Sequence, residues 1–334
     1  MPTIRWGILS TARINRRVIP AIRMSERGEL VAVASRDLAR AEEYAAEWEI
    51  PQTFGSYEAM LGSGEVDAVY ISLPNHLHAE WTVKALEAGV NVLCEKPFAL
   101  TLADVDRMIA AADQTGRVLA EAFMYRHHPQ TKLLGEWVHG GKLGEVLAVR
   151  GTFNFPISDR SNIRMIKDFG GGSLWDVGIY PMSLAQFVFG GPPEWVTAGQ
   201  IVGDTGVDEL FAGQLHYPGG GMAQIISSLR SPFYTTAEVI GSQGRLYLNK
   251  PFVGVQEDGK MTFYPGNGGP QEIAVPDEYL YLGEIEDMHS AILDGTTPYL
   301  TLAETRDHVK TLLALYQAAD EKRPVSLADI EGDQ

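Results

Sequence analysis

The sequence has very little cysteine and no long apolar run. Cys94 is the only cysteine among 334 residues, which excludes an internal disulfide framework and a cysteine-rich zinc cluster. No apolar run approaches the roughly 18 residues that a membrane-spanning helix needs, and strand-like residues follow Met1 where a signal peptide would have its apolar core. These absences predict a cytoplasmic chain that does not enter membranes.

Basic residues are also scarce, with 27 Lys and Arg against 43 Asp and Glu and a formal net charge of −16. Nucleic acids and anionic lipids favour a basic surface, so we expect this chain to bind neither. The charge is uneven, however, because residues 1–40 contain eight arginines and only three acids. This imbalance predicts a local anion site near the N-terminus.

The first 123 residues alternate short apolar runs with helical patterns, which is typical of βαβ units and a parallel sheet. Five runs are predicted as buried strands, with a weaker one near Thr53 and Phe54, and Asp37 and Thr101 are predicted helix N-caps. The five runs are Ile4 to Leu9, Leu30 to Ala34, Ala68 to Leu73, Asn91 to Cys94 and Val118 to Ala120.

Beyond residue 145, apolar residues alternate with polar ones as in half-buried antiparallel strands. Two helical patterns, near 281–293 and 302–319, close the chain. The predicted fold class is therefore α/β plus α+β: a doubly wound, Rossmann-type domain over 1–123, and over 124–334 a domain with a large open, mainly antiparallel sheet. The last helix can pack back on the first domain.

The turn after the first strand suits a diphosphate at a helix N-terminus, although Ser10 and Ala12 stand where a dinucleotide fingerprint usually has glycine. The sequence of this turn alone does not decide between a cofactor site and an ordinary strand-to-helix turn. The positions expected to contact a cofactor here are Gly7, Ser10, Thr11, Ala12, Arg13 and Ile14.

The end of the second strand indicates which dinucleotide is bound. An NAD enzyme places an acid there to bind the ribose 2′-hydroxyl, whereas this chain has Ser35, followed by Arg36 and Arg40. A hydroxyl and guanidinium groups suit a 2′-phosphate. The expected cofactor is therefore NADP, with NAD less favoured.

Polar segments follow the fourth and fifth strands, at the edge where open α/β sheets bind ligands. Each segment is nonspecific by itself, but their occurrence together with the first turn favours a nucleotide site. The cofactor contacts expected from them are Leu73, Pro74, Asn75, His78, Glu95 and Lys96.

Three motifs occur in order along the chain: Pro74 to His78, Glu95-Lys96-Pro97, and Gly170 to Tyr180. In these motifs the chain resembles the Gfo/Idh/MocA family of NAD(P)-dependent oxidoreductases, over nearly its whole length. The resemblance implies that Lys96 is the catalytic lysine and Asp176 a substrate-site acid. Tyr180 stands where most members carry histidine.

Tyr180, together with the segment Glu121 to Arg126, resembles the branch of the family that contains dihydrodiol dehydrogenase and NADP-dependent D-xylose dehydrogenases. This resemblance implies an enzyme that oxidises a hydroxyl of a sugar or related polyol, such as an aldose to its lactone. The alternatives are a trans-dihydrodiol dehydrogenase, a redox-neutral nicotinamide-dependent glycosidase, and a non-catalytic NADPH sensor.

For the oxidation itself, Tyr180 or Lys96 is expected to accept the hydroxyl proton while Asp176 orients the substrate. Tyr125, Arg126 and Phe155 are further substrate-pocket candidates. His127 and His128 lack a cluster at metal-ligand spacing, so no metal site is expected. An uncovered apolar sheet face predicts a homodimer or homotetramer that forms through the C-terminal sheet.

Overall fold

The computed structural model describes residues 2–253 and 260–331. These residues form two compact units. One comprises the chain up to His127 together with Tyr279–Thr305, and the other comprises His128–Glu278 together with the chain from Arg306 onward. The predicted domain boundary between residues 123 and 124 stays a prediction.

The first unit contains a six-stranded sheet in which every described strand pair is parallel. Its strands are β1 (Ile4–Leu9), β2 (Gly28–Ala34), β3 (Gln52–Phe54), β4 (Ala68–Ile71), β5 (Asn91–Glu95) and β6 (Leu119–Ala122). The order β3-β2-β1-β4-β5-β6 places a switch point between β1 and β4, where doubly wound sheets bind ligands. The predicted Rossmann-type sheet is confirmed.

Helices follow the strands because a parallel sheet must be covered on both faces. They are α1 (Asn15–Met24), α2 (Leu38–Trp48), α3 (Tyr57–Leu61), α4 (His78–Glu87), α5 (Leu102–Thr115) and α6 (Met124–His127). The Asp37 carboxylate accepts the Ala39 N–H at 3.0 Å, and the Thr101 hydroxyl accepts the Asp104 N–H at 3.1 Å. Both predicted N-caps are confirmed.

The second unit contains a nine-stranded mixed sheet in the order β14-β13-β12-β11-β7-β10-β9-β8-β15. Here β7 is Val146–Asn154, β8 Trp195–Val202, β9 Asp208–His216, β10 Met222–Ser228, β11 Tyr234–Gly241, β12 Gly244–Asn249, β13 Met261–Pro265, β14 Gln271–Ile273 and β15 Val325–Ser326. Among the described pairs only β7 and β10 run parallel, so the mainly antiparallel sheet is confirmed.

The remaining helices are α7 (Pro129–His139), α8 (Ile179–Phe189), α9 (Leu282–Asp294) and α10 (Leu302–Glu321), of which α9 belongs to the first unit. Helix α8 packs closely on β7, since a Cβ atom added at Gly151 would lie 2.4 Å from Pro181 Cβ. Along β10, Ala223, Ile225 and Ser227 are buried while the residues between them are exposed. One face of the sheet is therefore covered and the other is open.

No helix in the described part of the chain is both long enough and apolar enough to cross a membrane. The sequence pattern did not predict β13, β14 or β15. Those strands are short, and most residues of β13 and β14 are partly or fully exposed, so they lack the apolar alternation that identified the other strands.

Candidate active site

The turn after β1 places Ser10 in a backbone conformation that glycine normally adopts, with a φ of 125°. The Ser10 hydroxyl shares a 2.8 Å hydrogen bond with the Ser72 hydroxyl and accepts the Ala12 N–H at 3.1 Å. Asn15 Nδ2 donates to the Ser10 carbonyl at 2.9 Å. These bonds stabilise a tight turn although serine stands at the usual glycine position.

The same turn leads into α1, whose first turn contains no acidic residue. The positive end of the α1 dipole is therefore not neutralised locally, which favours an anion there. Gly7, within β1 and three residues before Ser10, has a packing reason to be glycine, because a Cβ atom would lie 2.9 Å from Met60 Sδ and from a Val66 methyl carbon.

A cleft of about 390 Å³ lies between the start of α1, with the turn before it, and the length of α2. Its lining residues are Thr11, Arg13, Arg16, Arg40, Glu43, Tyr44, Glu47 and Trp48. The sequence predicted Thr11, Arg13 and Arg40 as cofactor contacts and missed Arg16. The available signal was the run of arginines around the start of α1, at Arg13, Arg16 and Arg17.

Ser35 and Arg36 directly follow β2, and Arg40 lies in the first turn of α2. Ser35 is buried, and its hydroxyl accepts the Asp37 N–H at 3.3 Å, whereas the two arginines are exposed. Burial raises the pKa of Tyr57, while the charges of Arg36 and Arg40 act in the opposite direction. Exposed guanidinium groups beside a cleft can bind a multiply charged anion.

His78 connects the segments that follow β4 and β5. It is fully buried, with Nδ1 2.8 Å from the Pro97 carbonyl oxygen and Nε2 2.8 Å from the Leu73 carbonyl oxygen. Burial lowers the pKa of His78, and the two carbonyl contacts oppose that shift. The imidazole therefore fixes the spacing between these two segments, while its predicted cofactor contact stays a prediction.

Lys96 follows β5 directly, and its backbone is anchored through Glu95. The Lys96 N–H donates to Glu95 Oε2 at 3.1 Å, and the Tyr70 hydroxyl donates to Glu95 Oε1. The segment that carries the predicted catalytic lysine is thus tied to a carboxylate at the edge of the sheet where ligands bind.

Two predicted substrate residues lie inside the first unit. Tyr125 is fully buried and packs edge-on against Phe123, with ring centroids 4.9 Å apart. Arg126 is 2% exposed and pairs with Glu304 at 3.1 Å. Their roles as substrate contacts stay predictions.

In the second unit, the glycine-rich segment leads through a π-helical turn (Leu174–Gly178) into α8. Gly172 has a φ of 124°, and a Cβ atom there would lie 2.0 Å from Asp208 Oδ1. Only glycine fits this backbone conformation beside the Asp208 carboxyl group.

Asp208 fixes the start of that segment. Its Oδ2 accepts the Ser173 hydroxyl at 2.7 Å and the Leu174 N–H at 2.8 Å, and its Oδ1 accepts the Tyr316 hydroxyl at 2.7 Å. Burial raises the pKa of Asp208, and these hydrogen bonds offset part of that increase. Asp208 could not be predicted from the sequence, because an acid at a strand start carries no local signal.

Asp176 and Tyr180 are both nearly buried in the second unit. Arg164 Nε lies 2.6 Å from Asp176 Oδ2, and its guanidinium lies 5.9 Å from the centroid of the Phe155 ring. Arg164 thus contacts both Asp176 and Phe155. The sequence pattern did not point to Arg164. Tyr180 packs against Phe153, with ring centroids 5.2 Å apart.

In the part of the chain that the structure describes, no three His, Cys, Asp or Glu side chains are placed to hold a metal ion. In the first unit the groups available for chemistry are Lys96 and the turn after β1, and in the second unit they are Asp176, Arg164 and Tyr180. These groups can bind an anion, accept hydrogen bonds from hydroxyl groups and take up a proton.

The parallel sheet and these strand-end segments define an oxidoreductase with a dinucleotide-binding domain. Residues 4–123 match the family described as "Oxidoreductase family, NAD-binding Rossmann fold", and residues 131–247 match the "GFO/IDH/MocA C-terminal domain". The chain belongs to the Gfo/Idh/MocA family of NAD(P)-dependent oxidoreductases.

Three relatives illustrate the similarity. The chain is 37% identical over 325 residues to D-xylose 1-dehydrogenase (NADP(+)) 2 of Haloferax volcanii, covering 96% of this chain and 99% of the relative. It is 36% identical over 253 residues to trans-1,2-dihydrobenzene-1,2-diol dehydrogenase of Mus musculus, and the match covers 74% of this chain and 75% of the relative. The crystal structure of aldose-aldose oxidoreductase from Caulobacter crescentus superposes with a TM-score of 0.89 at 28% identity. The superposition covers 97% of this chain and 99% of the crystallised chain.

Replacing Asp208 by alanine should destabilise the second unit by about 3 kcal/mol, because buried donors on Ser173 and Tyr316 would lose their acceptor. Urea unfolding measures the loss. Asp204→Ala removes an exposed acid from the preceding loop and should stay within about 0.5 kcal/mol of wild type. Equal unfolding midpoints for the two variants would contradict the anchoring role of Asp208.

Proposed function

We propose that the chain is an NADP-dependent dehydrogenase that oxidises a hydroxyl group of a sugar or related polyol. The cleft between the start of α1 and helix α2, lined by Arg13, Arg16 and Arg40 as well as by two glutamates, is the observation that carries the cofactor assignment. Similarity over nearly the whole chain to a D-xylose 1-dehydrogenase supports the substrate class. An aldose oxidised to its lactone is the expected reaction.

The preference for NADP rests on charge at the end of β2. A 2′-phosphate is a multiply charged anion, and guanidinium groups bind it through paired hydrogen bonds. Arg36 and Arg40 are exposed there, Arg13 and Arg16 line the adjoining cleft, and the position where an NAD enzyme has an acid is Ser35.

The turn after β1 suits the diphosphate. The hydrogen-bonded Ser10 keeps the turn tight, and the first turn of α1 contains no acidic residue. The strand-end segments with Pro74, Asn75 and Lys96 are proposed to contact the nicotinamide half. A bound nicotinamide supplies the acceptor for the hydride.

The chain's own residues move the proton and orient the substrate. Lys96 or Tyr180 accepts the hydroxyl proton as the C–H hydride leaves, which makes either one a general base. Asp176 accepts hydrogen bonds from substrate hydroxyls, and Arg164 fixes the orientation of its carboxylate at 2.6 Å. Phe155, whose ring lies near the Arg164 guanidinium, is proposed as a further substrate contact.

Lys96→Met should lower kcat by roughly 10²- to 10⁴-fold while NADPH binding is retained, because the substitution removes the proton-transfer and orienting group but no 2′-phosphate contact. Steady-state kinetics and NADPH fluorescence titration measure the two effects. Lys84→Met, at a surface lysine paired with Glu80, is the matched control. Substantial turnover by Lys96→Met would remove Lys96 from the mechanism.

Arg36→Gln and Arg40→Gln should each raise the KM for NADP by about 10- to 100-fold and leave the KM for NAD nearly unchanged, since a charge-assisted hydrogen bond contributes roughly 1.5–3 kcal/mol. Initial rates at varied cofactor concentration give both constants. Arg107→Gln, at an exposed arginine of α5, serves as control. A parallel loss with both cofactors would argue against a 2′-phosphate site.

A trans-dihydrodiol is the second candidate substrate, and the 36% identity to the mouse trans-dihydrodiol dehydrogenase favours it. Its oxidation gives an aromatic catechol, whereas an aldose gives a lactone that hydrolyses to an acid. Product analysis therefore separates these two reactions, and both reduce the cofactor.

We also propose that two copies associate through the open face of the nine-stranded sheet. Ile201, Met222 and Ile226 are 41–49% exposed, and alternation along β8 and β10 directs them to that face. Exposed apolar area of this kind favours association. Light scattering should give a dimer or tetramer for the wild type and a smaller species for Ile226→Lys, and a monomeric wild type would contradict this interface.

A further inference from the structure

Three buried polar side chains lie at the turn between β1 and α1, and the proposed mechanism assigns none of them a role beyond a tight turn. Ser10 directly follows β1, Asn15 is the first residue of α1, and Ser72 directly follows β4. All three belong to the first unit. Buried polar groups cost stability unless they are hydrogen-bonded, so the partners of these side chains decide what they do.

The three residues bond to one another in a closed ring. Asn15 Nδ2 donates to the Ser10 carbonyl oxygen at 2.9 Å, and the Ser72 hydroxyl donates to Asn15 Oδ1 at 2.6 Å. The Ser10 and Ser72 hydroxyl oxygens lie 2.8 Å apart and close the Ser10–Ser72–Asn15 ring. This ring joins the turn after β1 to the end of β4, across the switch point of the sheet.

The number of available protons fixes the direction of each bond in the ring. A carbonyl oxygen only accepts, so the amide nitrogen of Asn15 faces Ser10 and its oxygen faces Ser72. The Ser72 hydroxyl has one proton, which Asn15 Oδ1 accepts, so the Ser10 hydroxyl must donate to Ser72. Ser10 Oγ also lies 3.2 Å from the Ser72 carbonyl oxygen, which can only accept. The Ser10 oxygen is then left to accept the Ala12 N–H at 3.1 Å.

The backbone at Ser10 needs such support. Its φ of 125° is a conformation that residues with a Cβ atom rarely adopt, and strained backbone persists only where the surrounding structure holds it. The Ser10 N–H donates to the Ala34 carbonyl oxygen at 3.1 Å, and the ring supplies the remaining bonds. Glycine would adopt this conformation without strain. The shape of the turn therefore depends on Ser72 and Asn15 because a serine stands at this position.

The ring also connects two parts of the expected cofactor site. Ala12, whose N–H binds the ring, lies in the turn that suits the diphosphate. Ser72 lies two residues before Pro74 and three before Asn75, in the segment proposed to contact the nicotinamide half. A movement of Ser72 relative to Ser10 would change the spacing between these two contacts.

We propose that Ser72 and Asn15 are positioning residues for the cofactor. Through the ring, they hold the turn after β1 in the shape that binds the diphosphate and set its distance from the segment after β4. The inference rests on the proposed function only in placing the diphosphate at this turn. It applies equally to NADP and NAD, because both contain a diphosphate.

The direct test is the affinity of Ser72→Ala for NADPH and for NADH, measured by fluorescence titration at a temperature where thermal unfolding shows every variant to be folded. The substitution leaves Ser10 and Asn15 without a partner in the ring. The Kd should rise by about 10-fold, and by the same factor for both dinucleotides. Arg36→Gln, in contrast, should weaken NADPH binding alone.

Ser25→Ala is the matched control for a general loss of stability. Ser25 is also a buried serine of the first unit, and its hydroxyl lies 3.0 Å from His289 Nδ1 and accepts the Arg27 N–H at 3.1 Å. It precedes β2, at the opposite edge of the sheet from the strand ends. Ser25→Ala should lower the Tm as Ser72→Ala does, but its Kd for either dinucleotide should stay within about twofold of wild type.

A rescue experiment tests the ring itself. Ser10→Gly removes both the strained side chain and its hydroxyl, so the turn should keep its shape and bind NADPH at least as tightly as wild type. In the Ser10→Gly background, Ser72→Ala should raise the Kd by less than about twofold instead of about 10-fold. A purely structural role of Ser72 would give the same loss in both backgrounds.

An unchanged Kd in Ser72→Ala would overturn the positioning role, as would an equal loss in Ser25→Ala or an undiminished loss in the Ser10→Gly background. A wild type that binds neither dinucleotide would overturn this inference together with the cofactor assignment. A wild type that binds both dinucleotides and oxidises no substrate would overturn the proposed function alone, because the titrations require no turnover.

Discussion

A parallel sheet is buried on both faces, and this constraint determines where the first unit can do chemistry. With helices on each side, ligands can approach such a sheet only at the edge where its strands end. Four features of the first unit lie at strand ends: the turn at Ser10, the arginines after β2, the His78 imidazole with its two carbonyl contacts, and the Glu95-Lys96 segment. Each of these features depends on the strand register of the sheet, because the register places the ends of neighbouring strands side by side.

Buried polar groups then fix the geometry of those ends. In the first unit, His78 joins two strand-end segments through backbone carbonyls, and Glu95 binds the Lys96 backbone. In the second unit, Asp208 binds the start of the segment that carries Asp176 and Tyr180. None of these three groups needs to touch a substrate, and each fixes the position of a group proposed to do so. Pre-organisation of this kind lowers the cost of reaching a reactive arrangement.

Much of the fold was predictable because local patterns report it directly. Continuous apolar runs identified the buried strands, and Asp37 and Thr101 showed where helices begin. Arg16, Arg164 and Asp208 were not found, since each acquires its role from residues distant in sequence. Asp208 contacts Ser173 and Tyr316, separated from it by 35 and 108 positions, and no local pattern encodes such contacts. Strands β13, β14 and β15 were also not predicted, because these short strands at or next to the sheet edges lack a clear apolar alternation.

The central claim is that this member of the family transfers a hydride from a sugar hydroxyl to NADP. The most direct test is the initial rate of NADPH formation by the purified protein with a panel of aldoses, polyols and a trans-dihydrodiol, each repeated with NAD. The account predicts turnover of at least one aldose with a clear preference for NADP. A protein that binds NADPH and reduces neither cofactor with any member of the panel would contradict it, and would favour a redox-neutral or sensing role for the bound nucleotide.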